Sequence, residues 1–125
     1  IDLDNDSVFW AFGVQLSFIN LADQQTTIHE VKIESLPAKL PDGFSFVMGI
    51  SVDVLTNGKP LKELPKDSKL HISFPMAGGA DDQFAILYWN GSEWITISEQ
   101  KGNDQLPQIL DVTIDKPGIY VLVKK

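Results

Sequence analysis

The chain has 125 residues, 43% of them hydrophobic and 22% charged, which is the balance of a globular domain and not of a disordered segment. Ten Lys and Arg stand against seventeen Asp and Glu, so the net charge is −7, and such a surface repels nucleic-acid phosphates and anionic lipid. Cys is absent, which excludes disulfides and thiolate chemistry, and no apolar run approaches the roughly 20 residues of a membrane-spanning helix.

The start at Ile1, with no initiator Met, basic leader or apolar signal core, reads as a mature form or an excised module. Residues 1 to 125 are expected to form a single domain with neither a nucleic-acid partner nor membrane insertion. The acidic surface is compatible with cation binding.

Helical periodicity is almost absent, while alternation with a period of two recurs along the chain. The apolar segment from Val8 to Ile19 reads as one strand, with Gly13 marking a bulge or bend. Ile28 to Leu36 reads as a half-exposed strand with His29, Val31, Ile33 and Ser35 on one face; His29 is expected to be half-buried. After the break at Pro37 and Pro41-Asp42-Gly43, Phe44, Phe46, Met48, Ile50, Val52 and Val54 keep one parity in a long strand, where Gly49 suggests a bulge. Thr56-Asn57-Gly58-Lys59-Pro60 is a strong turn signal.

Leu70, Ile72 and Phe74 alternate with His71 and Ser73 in the next strand, which Pro75 ends. Phe84 to Trp89 and Trp94 to Ser98 flank an Asn90-Gly91 turn, Leu106 to Ile114 follows, and Ile119 to Val123 closes the chain after Lys116-Pro117-Gly118. About eight or nine short strands with turn signals about every 8–12 residues predict an all-β fold, an antiparallel β-sandwich.

The run PLKELPKDSKLHISFP, then FAILYWNGSEWITIS, then KPGIYVLVKK resembles the Ig-like or ZU5-like β-sandwich modules of bacterial surface and secreted proteins. The resemblance covers roughly residues 55 to 125. It implies a secreted or cell-surface location, neighbouring domains or a protein partner, and a structural or adhesive role without catalysis. In domains related to ZU5 and GAIN a His-apolar-Ser/Thr tripeptide can cleave itself, the hydroxyl attacking the preceding carbonyl with help from the His. His71-Ile72-Ser73 is similar to that tripeptide, which makes self-cleavage a further alternative, although LHISF is also a regular alternating strand.

YWNGSEW, residues 88 to 94, places three aromatic rings around a turn. Both faces of the strand that leads into it are apolar, as in a central sandwich strand whose outer face is also covered. One of Trp89 and Trp94 is expected to lean into the core and the other to be exposed. The hairpin is either core or a contact site for a protein partner or a polysaccharide. In the latter case Trp89 or Trp94, together with Tyr88, would stack on a ligand, and Asn90 would fix its polar groups. Trp10 carries the same ambiguity.

Asp2, Asp4 and Asp6 alternate like the start of a calcium loop, but Ser7 stands where an EF-hand needs Gly and Gly13 where it needs Glu. A solvated acidic leader is the competing reading, as a solvated turn is for Asp81-Asp82. Two His are too few for a usual zinc site, and no nucleophile elbow or phosphate loop occurs. No cofactor is therefore expected, with calcium at Asp2, Asp4 and Asp6 the one metal left open, and no residue is assigned a catalytic role.

Overall fold

A computed structural model describes residues 8–11, 14–19, 25–64, 68–75, 83–101 and 109–125. Among these residues the strands are β1 (Val8–Ala11), β2 (Val14–Ile19), β3 (Gln25–Val31), β4 (Ser45–Thr56), β5 (Lys59–Pro60), β6 (Lys69–Pro75), β7 (Gln83–Trp89), β8 (Trp94–Lys101), β9 (Ile109–Ile114) and β10 (Gly118–Lys124). They form two antiparallel sheets. One has the order β1-β2-β6-β9; the other has the order β3-β4-β10-β7-β8, with β5 pairing only with the end of β4. The fold is thus an all-β antiparallel sandwich, as the alternation predicts. No helix among the described residues is long and apolar enough to cross a membrane.

The layer between the sheets follows from period-two alternation. Val14 and Leu16 of β2, and Leu70, Ile72 and Phe74 of β6, meet Ile50, Val52 and Val54 of β4, Phe84 and Ile86 of β7, and Tyr120 and Leu122 of β10. Each such side chain contributes on the order of 1.5–3 kcal/mol when it leaves water completely.

Three strand assignments made from sequence change. The segment from Val8 to Ile19 is not one strand: β1 and β2 pair antiparallel, with Ala11 opposite Val14, so the chain reverses between them. Local alternation continues across such a reversal and does not report it. The segment expected to run as a strand to Leu36 leaves the sheet after Val31 and enters a 3-10 turn at Ile33–Ser35. His29 is exposed, with 61% of its side-chain surface free, and its Nε2 lies 3.7 Å from Asp53 Oδ2. It stands opposite Ser51, out of phase with the inward-facing Ile28, and so projects from the outer face of the sheet.

The third change concerns β4. Its register against β10 shifts between Leu122, opposite Met48, and Val123, opposite Phe46, leaving Val47 as the extra residue of a bulge. Phe44 and Phe46 therefore pack on the outer face of the six-stranded sheet, while Met48, Ile50, Val52 and Val54 face the second sheet. Gly49 is not the bulge. A Cβ there would lie 2.8 Å from Val121 Cγ1, so glycine provides the room in which β10 packs.

The crossover between β3 and β4 explains why both faces of β7 and β10 are apolar. Leu36, Leu40 and Phe44 fold over Ala85, Leu87, Val121 and Val123 on the outer face. The central strands β7 and β10 are thus buried on both sides, once by a sheet and once by a loop.

Candidate contact surface at the aromatic hairpin

β7 and β8 pair from Gln83 opposite Lys101 to Trp89 opposite Trp94. The loop from Asn90 to Glu93 closes the hairpin, with the Asn90 N–H donating to the Glu93 carbonyl at 3.2 Å. Asn90 Oδ1 accepts the N–H groups of Ser92 and Glu93, both at 2.8 Å. Only Gly91 carries the positive φ, at 100°. This is a four-residue Asx-capped loop, and the two-residue turn suggested by Asn-Gly occurs instead at Asn57-Gly58, where φ is 52° and 80°.

The aromatic residues of the hairpin divide between two faces. Trp89 and Trp94 are directly opposite one another, so both lie on the outer face and neither enters the layer between the sheets. Their centroids are 5.2 Å apart and their planes tilt by 59°. The Trp94 indole N–H donates to the Ala38 carbonyl at 3.3 Å, fastening the crossover to the sheet. Both rings are half-buried. Of the two, Trp94 packs against the buried cluster of the outer face, so one Trp does lean on a core, while strand parity gives the position facing the second sheet to Tyr88.

Tyr88 follows Phe84 and Ile86 and faces inward. Its ring stacks on Tyr120 at 4.8 Å with an interplanar angle of 29°. The Tyr88 hydroxyl donates to the Pro117 carbonyl at 3.2 Å, and the Tyr120 hydroxyl donates to the Lys116 carbonyl at 2.6 Å. Burial raises the pKa of Tyr88, with Asp115 adding to the effect. Burial also raises that of Tyr120, with smaller contributions from Tyr88 and Asp115. Both phenols are locked in their neutral, donating form.

Between the edge strands β8 and β9 the sandwich opens into a cleft of about 430 Å³. Tyr88, Ile95, Ile97 and Val112 wall it, and Asn90 and Lys116 stand at its rim. Ile95 is 40% exposed there. The register shift between Ile86 and Leu87 leaves Ile97 as an extra residue in β8, a bulge of the kind that blunts a sheet edge. The sequence reading missed this cleft. The parity of Tyr88 signals its inner wall, but the meeting of β8 with β9 is a matter of topology. On the other side of the sheet, Ile33 is 60% exposed beside the grooves under the crossover.

His71-Ile72-Ser73 lies within β6, between β2 and β9, and all three residues are paired on both sides. Ile72 is buried in the core and Ser73 is buried on the other face. The His71 ring places Nδ1 2.9 Å from Thr113 Oγ1 and Nε2 3.5 Å from Asp111 Oδ2. Positive φ among the described residues is confined to Asn57 and four glycines, none in β6, so the tripeptide shows regular extended backbone.

Among the described residues no three His, Asp or Glu side chains converge as a metal site. Asp2, Asp4, Asp6, Asp81 and Asp82 lie outside the described residues, as does the side chain of Trp10, whose backbone pairs with Gln15. Comparisons with family models, with curated proteins and with solved structures give no match.

Proposed function

We propose that this domain is a non-catalytic structural or adhesive module of a larger secreted or cell-surface protein, acting through protein contact at a sheet edge. The observation that carries the reading is Ile95, a large apolar side chain left 40% exposed on edge strand β8 beside an open apolar cleft. Around it the polar groups of the hairpin serve the domain itself: Asn90 caps its own loop, and both Tyr hydroxyls and the Trp94 indole bond to backbone carbonyls. A surface of this kind supports burial against another protein better than it supports chemistry. The likeness of the second half to Ig-like or ZU5-like surface modules supports the same reading.

The test is amide hydrogen exchange on the isolated domain and on the parent protein that carries it. The reading expects the amides of β8 and Ile95 to gain protection in the parent. Equal exchange in both settings would remove the edge as a contact site.

A polysaccharide ligand is the second reading, favoured by the half-exposed Trp89 and Trp94 rings on one face. Their 59° tilt allows one ring at a time to lie flat against a sugar, so binding would rest on Trp89 alone, with Trp94 held by Ala38. Affinity electrophoresis through polysaccharide gels separates the two readings, because only this one expects retardation that Trp89→Ala abolishes in a folded protein.

A further inference from the structure

Two Asn-Gly pairs occur among the described residues, and their surroundings differ. Asn57-Gly58 forms a closed two-residue turn, flanked by Thr56 paired with Lys59. Asn90-Gly91 sits in the longer loop between Trp89 and Trp94, outside the strand pairing. Both asparagines are exposed.

We propose that Asn90 is a site of spontaneous covalent modification: its side-chain amide is converted to a carboxylate through a cyclic imide with Gly91. The hydrogen bond from Ser92 N–H to Asn90 Oδ1 closes a small ring. That ring runs through Cγ, Cβ, Cα and the carbonyl carbon of Asn90 and then through the Gly91 nitrogen. The electrophilic carbon and the attacking nitrogen therefore belong to one compact cycle, which lowers the entropic cost of their meeting. Gly91 has no side chain to obstruct the approach.

The two N–H groups at 2.8 Å do more than hold the side chain. They point at the oxygen that takes on negative charge when Gly91 attacks, as donors do in an oxyanion hole. In the first step the Gly91 N–H loses its proton to solvent base and the nitrogen bonds to Asn90 Cγ. The bond from Cγ to the side-chain nitrogen then breaks, and that nitrogen leaves as ammonia with a proton from water. In the second step water adds to one imide carbonyl. Opening on the backbone side gives an isoaspartyl link, and opening on the other side gives aspartate.

The products have different consequences. Aspartate at position 90 keeps an oxygen able to cap Ser92 and Glu93. The isoaspartyl form places an extra methylene in the main chain and removes the cap, which loosens the Trp89–Trp94 pairing. Either product adds a negative charge beside Glu93 at the rim of the cleft.

The experiment incubates the native protein in mildly alkaline buffer, digests samples over time and measures the acid form of the Asn90 and Asn57 peptides by mass spectrometry. A parallel incubation in concentrated urea reports both sites without the fold. In the native protein Asn90 is expected to react faster than Asn57 by on the order of tenfold, less than a buried oxyanion donor supplies because this loop is open to water. In urea the two rates are expected to converge. Equal native rates, a lead for Asn57, or reaction only in urea would each overturn the proposal.

Discussion

The two faces of the six-stranded sheet are buried by different means. The inner face meets four other strands, and its side chains come from regular alternation in β3, β4, β7 and β10. The outer face is closed by one irregular segment, and its cover is Leu36, Leu40 and Phe44 with the Trp94 indole tied to Ala38. A sheet-on-sheet layer repeats its contacts along every strand, whereas a loop cover depends on a few side chains and one hydrogen bond. The inner layer should therefore carry the stability of the domain, and the outer cover should adjust to substitution.

Phe74→Ala tests the first half of that contrast with the largest effect. Phe74 is completely buried between the sheets, and its removal leaves a cavity lined by strands that cannot close on it. The expected loss is about 3–5 kcal/mol in denaturant unfolding. A loss below about 1 kcal/mol would mean that the inner layer repacks as freely as a loop.

Gly49→Ala probes the outer face, where the contrast predicts a smaller penalty. The new Cβ would stand 2.8 Å from Val121 Cγ1, 3.3 Å from the Tyr120 carbonyl oxygen and 3.4 Å from Phe46 Cε2. Overpacking of this kind costs about 1–3 kcal/mol. Pairing it with Val121→Ala removes the nearest obstruction, so unfolding of the double variant should show clear non-additivity in the stabilising direction. Additive losses would show that the Tyr120 backbone, and not the Val121 side chain, is what Gly49 avoids.

The same contrast explains what could be read from the sequence. Leu70, Ile72 and Phe74, or Phe84 and Ile86, declare the inner face by spacing alone, and the sandwich follows from them. The doubly apolar β7 also announces that something covers its outer side. What covers it is less visible, because Leu36, Leu40 and Phe44 stand among Pro37, Pro41 and Gly43 and read as a loop. The β4 bulge is hidden for a related reason. Phe46 and Met48 share sequence parity and differ in face only because Val47 is unpaired with β10. At the hairpin, Tyr88 could have been placed inside from its phase with Phe84 and Ile86. The placing of Trp89 and Trp94 together required the four-residue loop, which Asn-Gly alone does not specify.

Alkaline pH supplies the smallest effect near neutrality and separates the two faces without altering their packing. Tyr88 and Tyr120 lie on the inner face, and burial, ahead of Asp115, raises the pKa of both. The unfolded chain has tyrosines that ionise near about pH 10. Below that pH both states keep their phenolic protons, and the stabilisation from these groups is fully present. Above it the unfolded chain releases protons that the native phenols retain, so stability falls as pH rises toward the raised native values. The melting temperature should accordingly decline across about pH 9 to 11. Tyr120→Phe should flatten that decline, with a cost of about 1 kcal/mol at neutral pH for the lost bond to the Lys116 carbonyl. Ionisation of Tyr88 should leave a residual slope, which a second change to Phe at position 88 removes. Were the slope unchanged in both variants, the alkaline sensitivity would belong to other groups, and the stacked pair would be a packing element alone.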